Sequence, residues 1–403
     1  MRKRPVVMLL LTGFLLVGLV AACANTGHKD AQGELLVPIP QYGAAPLIRV
    51  KLTAPTAKDS IQLDAGKAVV RMDGKEVTVE GPVQLKRGPS FVSAGDLGQG
   101  TFVEITPATR PEHFSLDGRT YRGILRLYAT TEGWEVINVV DLEQYVAGVI
   151  GWEMIASWPV EALKAQAVAS RTYAVFTMEE SRDAGRNWDL DDSTRFQVYG
   201  GVGPTDSPKL WRETANVLAA RSQTTGLVLT YQGKGFKAFF HSTSGGHTTD
   251  PRVALGIDAN IEPLGGVDLG EFDKESPKAN WEVRLAASEV NARLIEKRID
   301  PRSPIKIEPE EIAPSGHAIT VRVYGPSGHS ATVSAIDLRM ALGIPSTHFK
   351  AERSGDEWVF TGKGYGHGCG MCQWSARGMA KQGWDSNRIL KTMYPGSELK
   401  TLY

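Results

Sequence analysis

The chain has 403 residues, 42% of them hydrophobic and 22% charged, an ordinary globular composition with room for about two or three domains. Lys+Arg and Asp+Glu both number 45, so the formal net charge is zero, and no dense Lys/Arg run follows the first few residues. That balance argues against nucleic acid as a partner.

Arg2, Lys3 and Arg4 precede an apolar run from Pro5 to Ala22 that closes on Val20-Ala21-Ala22-Cys23. Positive charge, apolar run and small residues before a cysteine predict a secretory leader over residues 1–23, with Cys23 lipid-modified at the start of the mature chain. An uncleaved anchor is the alternative, since the run is nearly long enough to span a bilayer. Either reading gives an envelope protein facing out of the cytoplasm, and the first makes it a lipoprotein on the periplasmic side. Ala24, rather than Asp, follows the cysteine, which in enterobacteria-like envelopes resembles a lipoprotein sent on to the outer membrane.

Residues 24–45 are polar and then punctuated by Pro and Gly, as expected of a tether. From residue 46 to 114 short alternating runs such as Ile48-Arg49-Val50-Lys51-Leu52 and Ala68-Val69-Val70-Arg71-Met72 recur between turn residues, a β-rich N-terminal region whose pattern continues to Thr130. Gly133 to Val140 adds a strand, and Asp141 to Ile150 predicts a short helix leading to Glu153. Pro159 and an Ala-rich interior predict a helix over 160–180. A loop from Asp183 to Ser193 is expected to be solvated. A second helix is expected over 208–221, and a hairpin over 226–241 turning at Gly233 to Gly235. Mixed short strands and helices follow to about residue 356. Helices and strands intersperse without regular strand-helix units, which predicts an α+β fold rather than a doubly wound sheet.

Glu153 stands among Trp152, Met154, Ile155 and Trp158. Desolvation favours the neutral carboxyl, as a general acid near neutral pH requires; the competing role is a helix cap ahead of Val160, with Arg171 as ion-pair mate. Two other segments have the residues of a cleft. One is His241-Ser242-Thr243-Ser244-Gly245-Gly246-His247. The other is Gly364-Tyr365-Gly366-His367-Gly368-Cys369-Gly370, running into Cys372, Gln373 and Trp374. Glycines there permit close backbone approach, while Gln373 and Trp374 offer hydrogen bonds and a stacking face. The glycine alternation is no phosphate loop, because no Gly-Lys-Ser/Thr follows it. His241, His247, His367, Cys369 and Cys372 lack the closed spacing of a structural zinc motif, and Asp189, Asp191 and Asp192 lack the glycine and final Glu of a calcium loop. No metal and no other cofactor is expected. Cys369 and Cys372 are open to three states: a disulfide, half a metal site, or two buried thiols.

Together these segments resemble the SpoIID/LytB domain family of bacterial cell-wall proteins. The blocks are Asp141-Leu142-Glu143-Gln144-Tyr145 with Gly148 and Glu153-Met154; Glu161 to Tyr173 with Lys164, Gln166 and Arg171; Gln197-Val198-Tyr199; His241-Ser242 with Gly245-Gly246; Gly364 to Gly368; Gln373 to Ala380; and Tyr394-Pro395-Gly396. The resemblance runs from about residue 115 to 403 and implies one catalytic domain there. It implies a lytic transglycosylase acting on peptidoglycan glycan strands, especially strands stripped of stem peptides, with Glu153 as acid/base. It further implies Arg171, Tyr173, His241, Ser242, His367 and Gln373 as substrate-binding residues. A non-catalytic glycan-binding lipoprotein that recruits or stimulates a cell-wall amidase is the second class it allows. The chain departs from the pattern at Ile155, where Pro is common. It departs again at Cys369 and Cys372, for which a local disulfide is the leading expectation, and Ser244 stands where some relatives carry a cysteine that helps bind metal.

Overall fold

A computed structural model describes residues 36–108, 113–258, 261–299 and 303–403. The leader, Cys23 and most of the tether expected at 24–45 lie outside the described residues. No helix among those described is long and apolar enough to cross a membrane.

An antiparallel sheet forms one half of the body, built from β1 (Leu47–Lys51), β2 (Ser60–Met72), β3 (Lys75–Arg87), β4 (Phe102–Pro107), β5 (Ile124–Thr130) and β6 (Gly133–Asp141). Its order is β1-β6-β5-β4-β2-β3. Ile61, Leu63 and Ala65 face the core in the first part of β2, then Ala68, Val70 and Met72 do so in the second. The inward parity changes because a bulge between Asp64 and Lys67 shifts the register. The sheet runs unbroken across residue 114, since β5 pairs with β4, and one hydrophobic core joins the β-rich region to the helices that follow.

β6 hands the chain to α1 (Leu142–Glu153), and a short loop leads to α2 (Val160–Asp183). Every residue of α2 from Ala165 to Met178 is buried, so this helix is the body's axis rather than an amphipathic cover. The helix expected over 208–221 forms only from Ala215, as α3 (Ala215–Gln223). The expected hairpin is β7 (Leu227–Tyr231) and β8 (Lys234–Phe236), with Gln232 and Gly233 both at positive φ in its two-residue turn. Its second arm stops early. β9 (Phe240–His241) leaves the hairpin to pair in parallel elsewhere.

Next comes a unit with its own core of Trp281, Leu294, Val321, Leu338, Trp358 and Phe360. It contains β10 (Asn280–Ala286), α4 (Ala287–Glu296), β11 (Lys306–Ile312), β12 (Ala318–Tyr324), β13 (Ser330–Ser334), α5 (Ala335–Leu342), β14 (Phe349–Ser354) and β15 (Glu357–Lys363), arranged as two three-stranded antiparallel sheets. The chain then returns to the body through β16 (Met371–Cys372), which pairs with β9, followed by α6 (Gln373–Lys381), α7 (Ser386–Met393) and β17 (Glu398–Thr401) against β7. The fold is α+β and rich in strand, as expected.

Candidate active site

Asp141 caps α1, its Oδ1 accepting from the backbone N–H groups of Glu143 at 2.8 Å and Gln144 at 3.3 Å. Twelve residues later the helix ends on Glu153. The sequence placed this side chain ahead of the next helix as an alternative cap. It sits instead at the C-terminal end of α1, and its Oε1 accepts from the backbone N–H of Val198 at 2.7 Å. Desolvation pushes its carboxyl from the ordinary 4.5 to about 7, against hydrogen bonds from Val198 and the Gln373 side chain that favour the anion. The unsatisfied carbonyls at this pole of the helix act in the same direction as desolvation.

Glu153 lines a cleft of about 190 Å³ together with Tyr173, His241, Ser242, His367 and Gln373. Three segments far apart in sequence thus meet at one cavity. Parallel pairing of β9 with β16 brings the His241 segment beside Gln373, and α2 supplies Tyr173. The glycine alternation follows from this packing. All four glycines have positive φ, and a Cβ would stand 2.9 Å from the His241 Cβ at Gly366 and 2.0 Å from the Phe239 carbonyl at Gly370.

The two cleft histidines differ. His367 donates from Nε2 to the Phe240 carbonyl at 2.8 Å and accepts the Cys369 N–H on Nδ1 at 3.0 Å, so both nitrogens are held by the protein and only its ring is offered to the cleft. His241 donates from Nδ1 to the Cys369 carbonyl at 3.1 Å, which leaves a buried Nε2 with no partner among the described residues. Burial lowers both, His241 to about 4, so both rings are neutral near pH 7.

Arg171 does not reach this cleft. It is fully buried, clasps both oxygens of Glu143 at 2.7 Å, and donates to the Leu227 carbonyl at 2.9 Å. Its expected contact with substrate is therefore corrected to a structural ion pair, and its partner is Glu143 rather than Glu153. Trp374 is likewise turned away. Its ring meets Trp158 edge-on at 4.9 Å and carries the Arg377 guanidinium at 5.0 Å, tying the loop after Glu153 to α6.

The expected disulfide is absent, because Cys369 and Cys372 are separate buried thiols. The Cys372 sulfur accepts from the Ser375 N–H at 3.3 Å as the cap of α6, and from the Ser244 N–H at 3.2 Å. Burial pushes its thiol up to about 11. The aspartates expected in a solvated loop are also reassigned. Asp189 and Asp191 are fully buried, paired with Arg49 and Arg195, and Asp192 accepts from the N–H and hydroxyl of Thr53.

Sequence reasoning missed Arg195, Phe196, Phe239 and Tyr365 in the lining, and Val198, whose contribution is a backbone N–H. Residues 197–199 stood out as a block, but no side-chain pattern reports a main-chain donor.

The family model described as "Stage II sporulation protein" matches residues 130–231, and one described as a domain of unknown function matches 268–370, the stretch with the separate core. The chain is 34% identical to stage II sporulation protein D of Bacillus subtilis over 271 residues, 65% of this chain and 75% of that one. It is 32% identical to an uncharacterised protein of Brachyspira hyodysenteriae over 303 residues, 74% of this chain and 77% of that one. It is also 28% identical to the amidase enhancer of Bacillus subtilis over 351 residues, 74% of this chain and 47% of that protein. The chain belongs to the SpoIID/LytB family, whose members are involved in cell-wall degradation, sporulation and amidase enhancement.

Proposed function

We propose that the protein is a peptidoglycan lytic transglycosylase with Glu153 as its acid/base. The observation that carries this reading is a carboxyl group held near pH 7 by desolvation in a cleft where, among the described lining residues, it is the sole carboxylate. Two-carboxylate glycosidases need a second acid as nucleophile or base. A substrate that brings its own nucleophile needs one. Glu153 protonates the oxygen between N-acetylmuramic acid and N-acetylglucosamine as the bond to the anomeric carbon breaks. The resulting carboxylate takes the proton of the muramic 6-hydroxyl as that oxygen closes on the same carbon. No water is consumed, and the product ends in 1,6-anhydromuramic acid. Tyr173, His241, Ser242, His367 and Gln373 line the sugar path, and strands stripped of stem peptides are the substrate. The protein works at the envelope, secreted by its leader and held by lipid on Cys23.

The 28% identity to an amidase enhancer favours one second reading, a non-catalytic glycan binder that recruits or stimulates an amidase. The β-rich region before residue 115 would then be the docking surface. Protein truncated after Cys23, incubated with purified glycan strands with and without stem peptides, separates the two by mass spectrometry. Ends one water lighter than hydrolytic ends support the transglycosylase. Hydrolytic ends overturn the intramolecular step, and no cleavage of either substrate leaves the binding reading.

A further inference from the structure

Behind Glu153 lies a buried hydrogen-bond relay that the reaction as written does not use. Gln373, the first residue of α6 and 6% exposed, donates from Nε2 to the Gln166 Oε1 at 3.3 Å. Gln166 donates in turn from its own Nε2 to the Ser170 hydroxyl at 2.9 Å, one turn further along α2. Gln166 and Ser170 are fully buried. A side-chain amide carries its acceptor and its two donors on opposite edges, so fixing one edge fixes the other. Gln166 has its NH2 on the Ser170 hydroxyl, which accepts here, and its carbonyl on Gln373. Gln373 then has its NH2 inward, with one hydrogen on Gln166 and the second available to the cleft that it lines together with Glu153.

We propose that Gln166 is a positioning residue: with its carbonyl accepting from the Gln373 NH2, it decides which edge of the Gln373 amide faces Glu153, so that the carboxyl group meets an N–H donor rather than a carbonyl. The reverse orientation would present a carbonyl oxygen, which can bond only to the protonated acid. A donor favours the carboxylate and an acceptor favours the acid, so relay polarity sets how readily Glu153 releases and recovers its proton. The other titratable and charged groups facing it are Tyr173 from α2, Arg195 and His241, and Tyr365 and His367 from the glycine-rich loop, with Tyr145 on its own helix. None of these sits in the relay.

This inference rests on Glu153 being the acid, but its test reads the carboxyl group directly and not only the rate. In protein labelled with carboxyl-13C glutamate, the Glu153 resonance is identified by its loss in Glu153→Gln and titrated in the wild type and in Gln166→Met, which keeps side-chain length and helix preference. The expected result is a midpoint raised by about one pH unit in Gln166→Met, from the loss of an oriented hydrogen bond to the charged form. On glycan strands, KM is unchanged and the alkaline limb of the kcat profile moves up with the midpoint, so that activity is retained to higher pH than in the wild type. Ser170→Ala, which frees the Gln166 amide to turn, moves the midpoint in the same direction by less. Midpoints within 0.2 units of wild type in both folded variants (about the reading error against the expected one-unit shift) overturn the relay, whatever Glu153 does in catalysis. A rise in KM alone assigns Gln166 a packing role and overturns it as well.

Discussion

The two ends of α1 carry two carboxylates with opposite fates. Glu143, in the first turn, lies near the positive pole of the helix and is gripped by Arg171, with Tyr403 and the Gly226 N–H also donating to it. Burial pushes its carboxyl up, but the guanidinium and the other donors outweigh burial and hold it below its ordinary range. Glu153, in the last turn, has the negative pole, no guanidinium hydrogen-bonded to it among the described residues, and two neutral donors that do not offset desolvation. Both are glutamates within one twelve-residue helix. What separates a structural anion from a candidate acid is the cation delivered by α2, and that residue was expected in the cleft.

The largest effect comes from removing the acid. Glu153→Gln, folded as judged by circular dichroism, is expected to lose about 10²–10⁴-fold in release of anhydro-ended fragments, the usual contribution of a positioned general acid. Next is the opposite end of the helix. Arg171→Met strands the Glu143 charge in the core and should cost about 3–5 kcal/mol, read as a lower urea midpoint. The same perturbation at Glu153 has no ion pair to break.

The pH dependence of stability sharpens the contrast, with opposite signs. The folded-state value of Glu153 is raised, so its contribution is fully present below about 4.5 and is lost as pH rises towards 7. Melting temperatures should therefore show Glu153→Gln gaining on the wild type across that interval. For Glu143 the folded-state value is depressed, so its contribution holds above 4.5 and is lost in acid, and the deficit of Arg171→Met should shrink as pH falls. A deficit that grows in acid would contradict the ion pair. The smallest effect is at the thiols. Cys372→Ser keeps a cap acceptor for the Ser375 N–H and should change stability by less than about 1 kcal/mol. Protein truncated after Cys23 should show its thiols to Ellman's reagent only after unfolding.

Much of this was legible in the sequence, for definable reasons. Strand alternation, the Ala-rich α2 and the hairpin after Gly226 are local signals that the structure follows, although its turn falls at Gln232-Gly233 rather than at Gly233 to Gly235. Glu153, Tyr173, His241, Ser242, His367 and Gln373 could be gathered because each lies in a distinctive block. Arg171 lies in such a block too, yet a conspicuous arginine in an apolar helix is also what a buried carboxylate partner looks like, and only the position of Glu143 decides. The cysteines misled because their spacing does not reveal that one thiol caps a helix. The burial of Asp189 and Asp191 depends on Arg49 and Arg195, the former some 140 residues away in the chain. No local pattern carries that. The Val198 N–H and the polarity of the Gln166 amide are invisible until the backbone is placed.

The most direct measurement is a single carboxyl-13C titration of the glutamate-labelled wild-type protein, with Glu143 and Glu153 assigned by substitution. Glu153 is expected to titrate with a midpoint near 7 and Glu143 below its ordinary 4.5. A Glu153 midpoint at or below 4.5 would contradict the claim that this end of the helix keeps its carboxyl group as an acid.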